Sequence, residues 1–347
     1  DRPIPIIGDE FVDSAFGSGA VKVTPGHDPD DFEIAQRHNL PSVKVINEQG
    51  RMTEASGKYR GKDRFECRRE LVGELQDKGY LEKVEDYGYS IGHCYRCQAI
   101  MEPLVSEQWY LKTGEMARRA IEATRQKKVR LIPESWTKPY LNWLEDLHDW
   151  CISRQIWWGH RMPIWYCKKG CSPIAAVERP ERCPECGGNN LVQDSDVLDT
   201  WFSSALWPFS TFGWPKREAQ GSSKWKAETV IDDLDYYYPT SVLVTGYEIL
   251  YLWVARMVMM GLTLMDDIPF SDVFIHGIVR DVKGRKMSKS MGNVIDPLET
   301  IEKYGTDALR FAMACGGVMG RDVQLSDDNF KAGRNFANKI WNASRLV

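Results

Sequence analysis

No apolar stretch in this 347-residue sequence is long enough to span a bilayer comfortably. The longest, ILYLWVARMVMMGLTLM (residues 249–265), contains Arg256 and reads as a buried helix, so no membrane partner is expected. A secretory signal is also missing, and the opening DRPIPIIGDEF reads as a strand cut from something longer. Excess charge is small: a net charge of −4 and a pI near 6.0 exclude a wholesale nucleic-acid coat but leave room for a local basic face. There is no internal repeat or low-complexity run, which excludes solenoid architectures. Nine cysteines are too few for a disulfide scaffold. What remains, at 43% hydrophobic and 27% charged residues, is an ordinary globular chain with length for two or three domains.

Six of the cysteines stand in close pairs: Cys94 and Cys97, Cys167 and Cys171, Cys183 and Cys186. Without a secretory signal such pairs read as zinc ligands in a reducing compartment. Cys167, Cys171, Cys183 and Cys186 suffice for one tetrahedral site. Cys94 and Cys97 supply two ligands, so their partners are expected upstream. Cys67, Cys151 and Cys315 read as small buried hydrophobes.

Residues 1–60 read as short strands and turns around one helix. AVKVT (20–24) alternates as a strand does. The helix follows at 27–39, with Asp28 as its cap, Pro29 in its first turn, and Asp31 and Glu33 at the positive end of its dipole. Further helices are predicted at 66–78, 114–128 and 136–150. From residue 241 the texture is α/β. SVLVT (241–245) is a strand, 248–264 a long apolar helix, and DVFIHGIV (272–279) the next strand. DPLETIEKYG (296–305) carries Asp296 as cap, Glu299 reaching back and Gly305 as the stop. Helices follow from Thr306 and from about 326. Such alternation predicts a doubly wound parallel sheet with its ligands at the strand ends. PKREAQGSSK (215–224) is the expected flexible insert.

The chemistry concentrates in VKGRKMSKSMGNVIDP (282–297), which leaves the carboxyl end of a predicted strand. Lys283, Arg285, Lys286 and Lys289 place four cations in seven residues, between Gly284 and Gly292. Mobile cations that close over a phosphate stabilise the charge building on its oxygens more in the transition state than in the ground state. A charge run alone would read as a solvated loop; the string KMSKS after a strand reverses that preference.

KMSKS resembles the signature of the class I aminoacyl-tRNA synthetases. WCISRQIWWGHRMPIWYC (150–167), DVLDTWFSSALWPFSTFGWP (196–215) and LVTGYEILYLWVARMVMMG (243–261) resemble their valyl branch, and the likeness covers essentially the whole chain. It implies an α/β fold: the second half of a Rossmann-like parallel-sheet catalytic domain, part of a β-rich editing insertion, a zinc-binding segment and the start of a helical domain. The implied extents are 1–105 for the editing part, 106–317 for the catalytic part (zinc segment 167–186, cationic loop 284–293) and 318–347 for an anticodon-binding start. The implied reaction is ATP-dependent activation of valine with Mg2+, then transfer to tRNA(Val).

Lys286, Lys289, Ser288 and Ser290 would act on the ATP phosphates. Gly246, Glu248, His276, Gly277 and Met287 would hold the rest of the nucleotide. Glu248 departs from the family's usual Asp, and its plainer reading is a helix-start carboxylate. Trp158, Val197 and Trp201 match walls of the amino-acid pocket, and Asp196 the partner of the ammonium. Taken alone, either tryptophan would read as core, since the chain has 13. GSGAVKVTPGHDPDDFE (17–33) resembles the editing domain, with Lys22, Thr24, Asp28 and Asp31 on its site positions; capping is the plainer account of both aspartates. His27 and His38 show no partner and read as surface or packing histidines.

The HIGH-type stretch of the family does not occur, nor does the threonine- and arginine-containing first half of the editing site. The chain is therefore expected to be a fragment, inactive alone, of a cytoplasmic and monomeric enzyme. An isoleucyl enzyme is the alternative within the class. A non-catalytic zinc-containing tRNA-binding module is the alternative outside it. The NAS sequon at 342–344 reads as meaningless.

Overall fold

The computed structural model describes residues 3–94, 97–215, 233–288, 292–317 and 320–346. The expected insert at 215–224 falls outside these beyond Pro215. The chain forms two compact units, Asp1–Glu107 and Gln108–Val347.

The first unit is built on helices α1 (Pro29–His38) and α2 (Arg64–Asp77). Asp28 caps α1 as the sequence predicts, its side chain accepting from the Asp30 and Asp31 amides. The buried centre is small, with Ile34, Ala35 and Cys67 its apolar members. The expected strand at 20–24 does not form. Among the described residues of this unit, extended segments meet only as isolated bridges such as Ile46 with Met52, and a strand needs a ladder partner to persist.

Both histidines read as partnerless have partners. His38 and Arg37 share the Asp9 carboxylate. His27 donates through Nδ1 to the Pro103 carbonyl at 3.1 Å and accepts the Val45 and Ile46 amides at Nε2. One imidazole thus staples three stretches of chain. His27→Ala is expected to destabilise this unit by about 1–3 kcal/mol, because three backbone groups lose their partner. A lower urea midpoint would show it; an unchanged midpoint would mean water replaces the staple.

The second unit runs β1 (Tyr110–Leu111), α3 (Gly114–Arg125), β2 (Arg130–Ile132), α4 (Thr137–Glu145), β3 (Trp150–Cys151) and β4 (Ser153–Arg154). Then come β5 (Ile164–Cys167), β6 (Ile174–Ala175), β7 (Leu191–Gln193), β8 (Val197–Leu198), α5 (Thr200–Ala205), α6 (Trp207–Ser210) and α7 (Asp233–Tyr237). The remainder is β9 (Thr240–Gly246), α8 (Ala255–Leu264), β10 (Phe270–His276), β11 (Val279–Arg280), α9 (Pro297–Tyr304), α10 (Thr306–Gly316), β12 (Val323–Gln324) and α11 (Asp327–Leu346).

Its central sheet is parallel, in the order β2–β10–β9. Val254, Ala255, Met257 and Val258 are fully buried and share one core with Phe270, Val273 and Ile275 of β10. Each large apolar side chain buried this way contributes about 1.5–3 kcal/mol. Contrary to the expectation that no stretch is long enough to span a bilayer, one helix among the described residues, Tyr247–Leu264, is long and apolar enough by length and composition; half of it is buried inside the protein. A second, smaller core joins Tyr304, Ala308, Ala312, Leu325 and Phe330 of the α9–α11 region.

Two predicted elements end early, both for tertiary reasons. The helix expected over 136–150 stops at Glu145, because His148 and Asp149 are taken by Thr113 and Trp150 pairs with Leu111. The strand expected over 272–279 breaks at Gly277, where the Arg321 backbone comes so close that a Cβ would lie 1.7 Å from its carbonyl oxygen. Cys315 is exposed and Cys151 half-buried, so only Cys67 fits the buried-hydrophobe reading. Asp296 caps α9 as predicted, but among the described residues no bond from Glu299 to its amide accompanies the cap.

Candidate functional site at the carboxyl end of the parallel sheet

β9 and β10 end in register, with Gly246 opposite His276. A Cβ on Gly246 would stand 3.5 Å from the imidazole, so the ring lies directly beside this glycine. Glu248 follows in the first turn of the apolar helix and pairs with Lys286 at 2.7 Å. Four candidates, Gly246, His276, Glu248 and Lys286, therefore meet at the sheet's carboxyl end, where open α/β sheets bind ligands. Gly277 is occupied differently, by the close approach of Arg321. Lys289 and Ser290 lie outside the described residues.

The cationic loop is folded around Asp281, a buried carboxylate one residue ahead of the cationic stretch. Its Oδ1 accepts the Lys283 and Arg285 amides, and its Oδ2 takes the Arg285 guanidinium and the Asn293 amide. Asn293 in turn accepts the Ser288 amide at 2.9 Å and donates to the Lys286 carbonyl at 3.2 Å. The Asn293 amide, with Arg285, holds the Asp281 carboxyl well below the usual carboxylate range. Its contacts are therefore complete above the ordinary carboxylate pKa and are lost only as acid protonates it below that range. Met287 is half-buried within the same turn.

The pocket candidates flank the β4–β8 pair, where Arg154 opposes Val197. Asp196 accepts from Gln155 at 2.7 Å. Val197 is buried against Gly159, on which a Cβ would lie 2.9 Å from a Val197 methyl. Trp158 is 92% exposed, so core packing does not account for it. Trp201 is half-buried in the first turn of α5, and no ring contact joins it to Trp158 among the described residues. Beneath them lies a buried hub. Asp199 accepts from the Trp150 indole and from Arg154, caps α5 through the Trp201 amide, and faces Arg256, whose guanidinium stacks 3.8 Å over Trp150. Arg256, which interrupts the apolar run in sequence, is thus the tie between α8 and the pocket segment.

Cys167, Cys171, Cys183 and Cys186 gather as the sequence predicts, all four sulfurs within 4.8 Å of one another. Cys167 ends β5 of the antiparallel sheet β6–β5–β7, and the other three lie in the segments that join its strands. Gly170 and Gly187 close the two knuckle turns at φ of +78° and +70°, a region in which L side chains are strained. The Gly188 amide pulls the Cys186 thiol down to about 7, toward the thiolate form that metals bind. Around Cys94 and Cys97 no comparable ligand group forms among the described residues.

In the first unit Thr24 donates through both its amide and its hydroxyl to Asp31, at 2.6 and 2.9 Å. Asp28 is the cap, as the plainer account has it, whereas Asp31 binds Thr24 and does not cap. Lys22 is exposed, with no polar contact to these three among the described residues.

The sequence profile of the class I tRNA synthetases for I, L, M and V matches residues 31–182 and 172–326. The valine–tRNA ligase of Thermotoga maritima is 54% identical over 346 residues, all of this chain and 38% of that protein. The valine–tRNA ligase of Clostridium tetani is 50% identical over 347 residues, again all of this chain and 38% of that protein. The chain thus spans well under half the length of these relatives. A leucyl-tRNA synthetase of Agrobacterium radiobacter K84, solved with tRNA and LeuAMS, aligns with 56% of this chain and 28% of its own at a TM-score of 0.45 and 26% identity, too low a score to carry an inference.

Proposed function

The chain belongs to the class I tRNA synthetases of the I, L, M and V group, and from that premise we propose that it serves valine–tRNA ligation. The observation that carries the reading is the meeting of Gly246, His276, Glu248 and Lys286 at the end of the parallel sheet. A nucleotide laid there has its sugar beside Gly246 and Glu248, and its phosphates under the loop. The valine carboxylate attacks the α-phosphorus, the bond to the β-phosphate oxygen breaks, and pyrophosphate leaves with the electron pair. Lys286 then exchanges Glu248 for phosphate oxygen and stabilises the charge that develops, with Lys289, Ser288 and Ser290 as its proposed helpers. Mg2+ would arrive on the nucleotide's own phosphates. The ammonium of valine is assigned to Asp196, and its side chain to walls formed by Trp158, Val197 and Trp201. The hydroxyl of the tRNA terminus next displaces AMP from the valyl-adenylate.

A hydrophobic pocket rejects an isostere bearing one extra hydroxyl only by about 10²-fold, and valyl enzymes facing threonine are the standing illustration of that limit. We therefore assign Lys22, Thr24, Asp28 and Asp31 to hydrolysis of threonyl-tRNA. The cysteine cluster is assigned to one structural Zn2+. A monomeric, cytoplasmic protein accords with this reading.

Amino-acid-dependent ATP–pyrophosphate exchange tests it, run on the natural gene product that carries this chain. Strong exchange with valine and weaker exchange with threonine are expected. Isoleucine outrunning valine would move the assignment to the isoleucyl branch. Silence with all three would sink the ligase reading.

A further inference from the structure

Tyr247 stands between Gly246 and Glu248, and its side chain turns away from both. The ring stacks on Trp136 at 5.3 Å and an interplanar angle of 10°. Its hydroxyl donates to Asp322 Oδ2 at 3.1 Å and accepts from Arg280 at 3.0 Å. Arg280 also pairs with Asp322 and donates to the Gly284 carbonyl at 3.2 Å, at the first hinge of the cationic loop. The other oxygen of Asp322 accepts the Ile278 amide at 2.9 Å. One carboxylate thus gathers donors from the turn after β9, the break after β10 and strand β11.

The surrounding backbone fixes this carboxylate in place. β11 and β12 pair in parallel directly after it, Val279 with Val323 and Arg280 with Gln324. Gly277 admits the Arg321 carbonyl only because it has no Cβ. Yet the ion pair is not core: the side chains of Arg280 and Asp322 are 29% and 24% exposed. An ion pair this open contributes little to stability by itself. Three of its four outward bonds run instead to the two pieces of chain that frame the nucleotide site, the Glu248 turn and the loop hinge.

We propose that Asp322 is a positioning residue for ATP: through Tyr247 it sets the Glu248 turn, and through Arg280 it sets the hinge at Gly284. This rests on the nucleotide-site reading above and extends it to a residue that touches no substrate. Because β12 runs directly into α11, the same contact makes the seating of the helical region a condition for the loop's working geometry.

The test uses Tyr247→Phe, which keeps the stack on Trp136, together with Asp322→Asn. Glu145→Gln, which removes an exposed pair with Arg125 at the end of α4, is the control. Losing one such bond is expected to raise KM for ATP about fivefold to tenfold, with KM for valine unchanged. Tryptic cleavage after Lys283, Arg285 and Lys286 should quicken in both variants and not in the control. Equal shifts in both KM values, or the same effects in the control, would reduce Asp322 to a structural role and overturn the proposal. So would active variants with unaltered KM and unaltered cleavage. If the natural protein shows no exchange while loop cleavage still responds to the two substitutions, the nucleotide reading falls and the mechanical link stands.

Discussion

Cys183→Ser is expected to empty the cysteine cluster of metal and to unfold the small sheet around it. Tetrahedral zinc with bonds of about 2.3 Å sets its sulfurs about 3.8 Å apart. The cluster fits that requirement, with Cys167 and Cys186 at 3.6 Å and all four sulfurs within 4.8 Å. Cys183 is 2% exposed and belongs to a core of four residues with Trp165, Cys167 and Leu191. So few apolar side chains cannot order the segment, and structural zinc supplies folding free energy on the order of 10 kcal/mol in small modules. Losing a ligand should cost the segment most of its order. Zinc content per chain and melting with and without chelator would show it. Full zinc in the variant, or a melt indifferent to chelator, would refute the assignment.

The second large effect is expected at Asp281. Asp281→Ala frees Arg285, Asn293 and two loop amides at once, so the loop that presents Lys286 loses its frame. Removing a preorganised charge-stabilising group typically lowers kcat by about 10²–10³-fold, and a comparable fall in valine-dependent exchange is expected. KM for valine should move little, because the β4–β8 pair that carries Asp196 is separate from the loop. Lys286→Ala in the same chain should add little to the loss, since the two act as one unit. A single variant with near-normal kcat would mean that nucleotide binding itself orders the loop.

What could be read in sequence was local. Asp28, Pro29 and Asp296 announce their helices because a cap acts within three residues. The four cysteines announce their cluster because their spacing is short. The strand at 241–245 showed as an apolar run, although only Leu243 and Thr245 of it are buried and Val242 and Val244 stand more than half exposed on the edge of the sheet. What escaped was set by distant chain. The break at Gly277 is imposed by Arg321, the end of α4 by Thr113, and the tie of Arg256 by Asp199, 57 positions away. Arg280, Asp281 and Asp322 each resemble any surface charge until the fold brings their partners up. A faint signal did exist: Asp281 opens the cationic stretch and Asn293 closes it, a donor–acceptor pair at either end of one loop.

The four cations of that loop invite a picture of long-range attraction for a polyanion. Two of the three described ones are already neutralised, Arg285 by Asp281 and Lys286 by Glu248, and only Lys283 has no ion-pair partner among the described residues. Beyond a Debye length of about 8 Å at physiological salt, such pairs look like dipoles and exert almost no pull. On the nucleotide reading proposed above, these paired cations would add little steering: the ligand would win Lys286 by exchanging one counter-ion for another, so its arrival rate should depend weakly on ionic strength and its residence time strongly.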